Sequence, residues 1–334
     1  MRSGRSSIHD WITDKVSTQP FILSKKKHSG EHELLAPRSR HGGFDAAADI
    51  GASGVAIACD KDLQRSEGFA RLILAGSARG TRIVDIFQRS PIRIMFPGIR
   101  GAPVEEAVVV NTAGGIAGGD RLEFAVTLLA NASVTVTSQA AERVYRALNE
   151  PAVIETRLKI CKAARLAWLP QETIVFNGGR MRRNTEIEIS AGAELLALEW
   201  LVLGRAAHGE EMVGGQITDG WQVRLDDRLI WADRFRATDD VFPRLRSRAL
   251  LADFKAIGTL IYFGPDAQAR VQFLRDLAPQ LQCHCATTAV SGLVITRLAA
   301  RAVSELKAGL REILLQFERT LAQGPFRIPK MWSC

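Results

Sequence analysis

The chain has 334 residues, of which 46% are hydrophobic and 24% charged, a composition typical of a globular protein with a sizeable core. Forty-four lysines and arginines against 36 acidic residues give a formal charge of +8, which favours acidic partners without selecting nucleic acid, lipid or protein. No stretch approaches the roughly 20 apolar residues that a membrane-spanning helix needs, so a transmembrane helix is excluded.

The five cysteines are odd in number and scattered along the chain, which makes a poor disulfide framework and suits a reducing compartment. The N-terminus has basic residues but lacks the apolar segment of a secretory signal. These features predict a cytoplasmic protein.

Residues 1–66 carry scattered charge and no sustained period of 2 or 3.6 residues. This composition predicts a poorly ordered N-terminal extension. The character changes at Gly68, and residues 67–334 are predicted to form one β-rich domain.

From Gly68 onward, short β-branched segments recur every 8 to 12 residues and are separated by turn signals. They begin in "ARLILAGSARGTRIVDIFQRSPIRIMF" and continue through "EEAVVVN", "RLEFAVTLL", "ASVTVTSQ", "AVIETRLKIC", "RLAWLPQETIVF", "NTEIEISAGAELLALEWLVLG", "GWQVRLDDRLIWADRFR" and "AIGTLIYFG". No helical segment of about ten residues separates them, which disfavours a doubly wound nucleotide-binding fold. The predicted fold class is mainly β, a large single domain of many short strands.

Two segments in the C-terminal quarter have helical periodicity instead. In "DAQARVQFLRDLAPQ", Val271, Leu274 and Leu277 share one face. In "RAVSELKAGLREILLQFERTLAQG", apolar residues recur with a strong 3.6-residue period until Gly324-Pro325. Two α-helices are therefore predicted near the C-terminus.

The stretch "NTAGGIAGGDRLEFAV", residues 111–126, is rich enough in glycine to suggest a phosphate-binding loop. A P-loop needs a lysine followed by serine or threonine after its last glycine, but Asp120 and Arg121 stand there. A strand rather than a helix follows, so no helix N-terminus is available for a pyrophosphate. The glycines then serve either a tight strand connection or another site that needs small residues.

Four motifs and a C-terminal segment occur in a fixed order along the chain. They are "NTAGGIAGGDRL", "TSQAAERVYR", "WLPQETIVFNGGR", "LLALEWLVLGRAAHGE" and the terminal "PKMWSC". From about Gly68 to Cys334 the sequence resembles the urease accessory protein family UreD, also called UreH.

The resemblance implies a β-rich fold with two helices and a non-catalytic scaffold. Proteins of this family bind UreF and, through it, the GTPase UreG, and they dock on apo-urease. The resemblance further implies that Ni²⁺ passes through a water-filled tunnel, so the metal is cargo in transit and no cofactor is tightly bound. Neither nucleic acid nor a membrane is an expected partner.

The family's tunnel-associated polar positions fall on four carboxylates, Asp120, Glu142, Glu172 and Glu210. Glu142 replaces a small hydroxyl residue that many relatives carry, which adds an oxygen donor. A passing cation needs oxygen-lined walls, space and weak sites, which small residues and these acids would supply. The alternative for each acid is a salt bridge to one of the many arginines.

Other residues invite a metal-binding interpretation. Glu199 lies in an otherwise apolar strand, where a lone carboxylate must be paired or hydrated. His208 could bind nickel, although a hydrogen-bonded surface histidine is the commoner case. In an extended strand Cys283 and Cys285 share one face while His284 points away, so these three residues cannot ligate one ion together.

Two alternative functions are compatible with the residues. The basic charge fits a β-rich nucleic-acid-binding protein, but only two tyrosines are present and aromatic and basic residues do not interleave. A metal-dependent hydrolase could use Asp120, Glu172 and His208, but no known zinc-ligand spacing is found.

Deleting residues 1–60 should leave folding and partner binding intact, because the segment lacks strand or helix periodicity and precedes all family-like sequence. Soluble yield and co-purification with urease partners would measure this. Loss of soluble protein would place part of the segment in the core.

Overall fold

The structure is a computed structural model that describes residues 65–98, 101–205, 208–320 and 327–332. The predicted extension lies almost entirely outside the described residues and stays a prediction.

The described residues form two β-sheets. The seven-stranded sheet has the order β14-β13-β11-β8-β5-β1-β2. Its strands are β1 (Glu67–Ser77), β2 (Gly80–Arg89), β5 (Arg121–Leu128), β8 (Ala152–Ile160), β11 (Arg180–Ile189), β13 (Gln216–Leu225) and β14 (Arg228–Ala237).

The ten-stranded sheet has the order β16-β17-β15-β12-β9-β6-β4-β3, with β10 beside β12 and β7 beside β10. Its strands are β3 (Ile92–Met95), β4 (Glu106–Asn111), β6 (Ser133–Ser138), β7 (Glu142–Val144), β9 (Arg165–Leu169), β10 (Thr173–Val175), β12 (Glu194–Leu203), β15 (Ala256–Phe263), β16 (His284–Val290) and β17 (Leu293–Ala300).

The middle of the chain alternates between the sheets. Strands β4, β6, β9 and β12 lie in the ten-stranded sheet, and β5, β8, β11 and β13, which alternate with them, lie in the other. Neighbours within each series pair in parallel. Parallel neighbours need a crossover that is usually a helix. Here the crossover is a strand of the opposite sheet, which explains why parallel pairing occurs without intervening helices.

The main core fills the space between the sheets. Leu72, Leu158 and Val223 enter it from the seven-stranded sheet, and Val134 and Leu195 enter it from the ten-stranded sheet. These side chains leave at most 2% of their surface exposed. Both sheets therefore depend on the same buried layer.

A second core covers the outer face of the ten-stranded sheet. It holds Trp200 of β12 together with Leu274 of helix α2 (Ala267–Leu277) and Leu310 of helix α3 (Val303–Thr320). Both faces of β12 are buried, which explains why its sequence is an almost continuous apolar run.

The mainly β fold and the two C-terminal helices are confirmed. One four-residue helix, α1 (Phe242–Leu245), was not predicted, because it is too short to show a 3.6-residue period. No helix within the described ranges is long and apolar enough to cross a membrane.

Replacing Leu310 with aspartate should abolish soluble expression. Leu310 lies on the buried face of α3 and has no exposed surface. Losing a buried leucine costs about 2–5 kcal/mol, and the buried carboxylate adds to this, against a total stability of about 5–15 kcal/mol. Ala308→Asp, on the exposed face of the same helix, is the control. Soluble yield and thermal melting would compare them, and equal behaviour of the two variants would contradict the packing.

Candidate functional site

Asp120 anchors the glycine loop to the start of β1. Its Oδ1 accepts a hydrogen bond from the backbone N–H of Ser66, and its Oδ2 accepts one from that of Ala117, both at 2.8 Å. The residue is 6% exposed. Both oxygens therefore already have backbone partners.

The glycines of this loop allow close packing. A Cβ atom at Gly115 would lie 2.4 Å from the Tyr145 ring, and one at Gly118 would lie 2.5 Å from the backbone oxygen of Glu150. Gly119 has φ of +85°, a conformation that other residues rarely adopt. The loop is thus a strand connection covered by the segment after β7.

Glu142 lies on β7 and faces the space between the sheets. Strand β10 pairs Thr173 with Glu142 on one side and with Leu201 on the other, so the three side chains share one face. Leu201 belongs to the inter-sheet core. Burial raises the pKa of Glu142, although a hydrogen bond of 3.0 Å from Asn111 Nδ2 partly opposes the shift.

A backbone hydrogen bond joins Glu172 to Glu142. The Glu142 N–H donates to the Glu172 carbonyl at 2.9 Å, which brings the two acidic residues onto neighbouring segments. Glu172 Oε2 is buried and has no hydrogen-bond partner among the described residues. A buried carboxylate oxygen without a partner is costly unless water or a cation satisfies it.

Glu210 lies apart, on the loop after β12. Arg205 holds it in a two-pronged ion pair, with Nε 2.7 Å from Oε2 and Nη2 3.2 Å from Oε1. The Arg205 hydrogen bond lowers the pKa of Glu210. The same guanidinium stacks 4.4 Å above the Phe176 ring.

The strongest polar cluster lies between the sheets and joins them. Arg183 of β11 donates to Asp219 of β13 through Nε at 2.8 Å and Nη2 at 2.7 Å. Arg183 Nε also lies 2.6 Å from Oε2 of Glu199, which belongs to β12 of the other sheet. Thr185 donates to Glu199 Oε1 at 2.8 Å. The predicted need of Glu199 for a partner is thus met by an arginine.

This cluster holds two carboxylates and one cation. Burial raises the pKa of Glu199, Arg183 opposes the rise and Asp219 adds to it. Burial alone would lower the pKa of Arg183, but Asp219 and Glu199 outweigh burial and raise it. Arg183 is therefore held as a cation.

A cavity of about 260 Å³ adjoins the cluster. Glu199 and Asp219 line it together with Asp233 and Arg297, whose Oδ2 and Nη2 lie 2.7 Å apart. Arg297 Nη1 also donates to Thr259 Oγ1 at 2.5 Å. Three carboxylates thus border one space between the sheets.

Thr173 connects the two groups of acids. Arg183 Nη1 donates to Thr173 Oγ1 at 3.1 Å, and Thr173 shares its strand face with Glu142. Oxygen-bearing side chains therefore extend from Glu142, past Thr173 and Arg183, to the cavity at Glu199. We call this series the polar track.

The four predicted carboxylates do not form one site. Glu142 and Glu172 lie on neighbouring segments joined by a backbone hydrogen bond, whereas Asp120 belongs to the glycine loop and Glu210 to the loop after β12. Sequence reasoning missed Asp219 and Asp233. Both are acidic residues on strands whose side chains alternate between the two faces. The sequence alone does not tell whether such a residue faces inward or outward, because this depends on the strand register.

The other candidate ligands do not cluster. His208 is exposed. Cys283 packs against α3, and its Sγ would lie 2.3 Å from a Cβ at Gly309, whereas His284 packs on the Phe254 ring at 4.8 Å. Across the described ranges, no group of three or more histidines, cysteines or acids could hold a metal ion.

The family model described as "UreD urease accessory protein" matches residues 66–333. This match covers most of the chain. The chain belongs to the UreD family.

Curated UreD proteins are similar over almost their whole length. The urease accessory protein UreD of Xanthobacter autotrophicus is 38% identical over 270 residues, which cover 81% of this chain and 91% of that protein. The UreD of Mesorhizobium japonicum is 36% identical over 271 residues and covers 81% and 95%. The UreD of Dinoroseobacter shibae is 38% identical over 273 residues and covers 81% and 93%.

UreD proteins are non-catalytic accessory proteins of urease maturation. The predicted family and the absence of enzymatic activity are therefore confirmed, and the hydrolase alternative is not supported.

Replacing Arg183 with methionine should destabilise this UreD protein by about 3–5 kcal/mol, because two buried carboxylates would lose their cation. Asp219→Asn should cost less, about 1–3 kcal/mol, since the Arg183–Glu199 pair remains. Arg182→Met, on the exposed face of the same strand, is the matched control.

Urea unfolding of the three variants would measure the order of stability. Equal stability of the Arg183 and Arg182 variants would show that the cluster does not hold the sheets together.

Proposed function

We propose that this UreD protein is a cytoplasmic scaffold of urease maturation and a conduit that helps deliver Ni²⁺ to apo-urease. In this role it binds UreF, UreG and the apo-urease subunits. Nickel is the cargo, and the residues along the path hold it only in passing.

One observation carries the conduit proposal. Glu172, whose buried Oε2 has no hydrogen-bond partner among the described residues, is joined through its backbone carbonyl to the N–H of Glu142, and from Glu142 the polar track leads to the acid-lined cavity. A hydrated divalent cation would satisfy such an oxygen. Carboxylate oxygens bind Ni²⁺ less tightly than imidazole or thiolate groups do. Oxygen ligands therefore favour release of the ion over its storage.

The track also contains a fixed positive charge. Arg183 neutralises part of the negative charge of Glu199 and Asp219, so a cation beside them would be attracted less strongly than by two free carboxylates. Weak, multiple sites are what transfer requires, because a tight site would trap the ion.

The four predicted carboxylates contribute differently. Support is strongest for Glu142 and Glu172, which have the unsatisfied or destabilised carboxylate oxygens. Asp120 shapes the adjoining loop through its backbone hydrogen bonds, and Glu210 orders the loop after β12 through Arg205. We propose both as parts of the wall.

Changing Glu142 and Glu172 together to glutamine should lower the nickel content and activity of co-expressed urease several-fold while the partner complex persists. The substitution keeps the shape of both side chains and removes two charges, and it breaks no ion pair between either side chain and a described residue. The readouts are nickel per urease active site, urease activity and co-purification of UreF and UreG at high salt.

The control is Glu186→Gln with Glu188→Gln, the same chemical change on the opposite sheet, where each acid has an Arg157 or Lys159 partner. Asp120→Asn tests the loop separately and should lower thermal stability, because its amide group would oppose a backbone N–H. Normal nickel loading in the Glu142 and Glu172 variant would remove both from the path. Loss of the complex would assign them a structural role.

A wild-type chain that fails to co-purify with any urease partner, yet is retained on DNA in a salt-sensitive way, would instead favour the nucleic-acid-binding alternative.

A further inference from the structure

A second, larger cavity lies outside the polar track. It is a groove of about 600 Å³ between the loop after β12 and residues 242–255. This volume is within the range of sites that hold a drug-sized ligand or a few large side chains. We call it the β12-loop groove.

The floor of the β12-loop groove is apolar. It is formed by side chains that are buried or half-buried, whereas five of the six charged lining residues are exposed. The apolar lining residues are Leu203, Met212, Phe242, Leu245, Leu251 and Phe254.

The rim carries excess positive charge. Four cations line the groove, but only two acids do. Both acids are already paired, Glu211 with Arg246 and Asp253 with Arg301. The other two rim cations, Arg248 and Lys255, have no acidic partner among the described residues.

Two exposed apolar residues adjoin groove-lining residues along the chain. Val213 follows the lining residue Met212 and is 61% exposed, and Leu250 precedes the lining residue Leu251 and is 54% exposed. An apolar floor, an apolar margin and two unpaired cations together have the composition of a protein-binding groove.

We propose that the β12-loop groove binds a protein segment in which a large apolar side chain is flanked by carboxylates, carried by one of the urease-maturation partners. The apolar side chain would fill the floor, and the carboxylates would pair with Arg248 and Lys255. The proposal rests on the scaffold function proposed above and adds the surface and the chemistry of the contact.

The floor distinguishes this occupant from nucleic acid. A single strand would need stacking platforms along a basic channel, whereas the described lining of the groove offers an apolar floor and two cations without an acidic partner. Rim charges of this kind chiefly accelerate association and make it sensitive to salt.

The test uses full-length protein and the double variant Arg248→Glu with Lys255→Glu. Binding to purified UreF and to purified apo-urease is measured by biolayer interferometry between 50 and 300 mM salt. For the partner that carries the segment, we expect at least a tenfold loss of affinity, mostly in the association rate, and a flatter salt dependence.

Matched controls separate this contact from general charge effects. Arg182→Glu with Arg234→Glu reverses two exposed cations on the outer face of the seven-stranded sheet and should bind like wild type. For the apolar part, Leu250→Ser should weaken binding, whereas Leu229→Ser, a 47% exposed leucine on β14, should not. Melting temperatures would verify that all variants are folded.

Each outcome decides the proposal. Wild-type affinity in the Arg248 and Lys255 variant overturns the groove proposal and leaves the scaffold function standing. The proposal would also be overturned if the wild-type and control proteins bound a labelled single-stranded DNA oligonucleotide and the Arg248 and Lys255 variant did not. If the wild-type chain binds neither partner, the scaffold function is wrong and the groove proposal falls with it.

Discussion

The buried contact between Arg183 and the two acids, Glu199 and Asp219, is the interaction on which the architecture most depends. It is a charged group inside an otherwise apolar layer, and it links β11 and β13 of one sheet to β12 of the other. Such a cluster is costly to bury and much more costly to break, so it disfavours any packing of the sheets in which the three residues do not meet.

This contact also explains why polar chemistry can exist in the interior. A purely apolar inter-sheet layer would exclude ions and water. Because Arg183 already requires carboxylates and the Thr173 hydroxyl beside it, the layer contains a line of oxygen atoms that ends in a cavity bordered by Asp233. The proposed conduit is thus a consequence of how the two sheets are joined.

The alternating path of the chain places these residues. Since successive strands switch sheets, residues near in sequence face each other across the core, as Arg183 and Glu199 do. The glycine loop has a different purpose. Its missing side chains allow the segment around Tyr145 to pack closely, and Asp120 fastens the loop to the beginning of β1 through two backbone hydrogen bonds. No phosphate is needed to explain this composition.

By itself, the sequence determined the family, the mainly β class and the two long helices, because motif order and residue periodicity are local properties. It also determined that Glu199 must be paired or hydrated, since a lone carboxylate in an apolar strand is costly. Only the tertiary structure decided that the partner is Arg183, that Asp219 and Asp233 face inward, and that Glu210 lies apart from Glu142. These facts depend on strand register and on which sheet receives each strand, and both are set by contacts between residues distant along the chain.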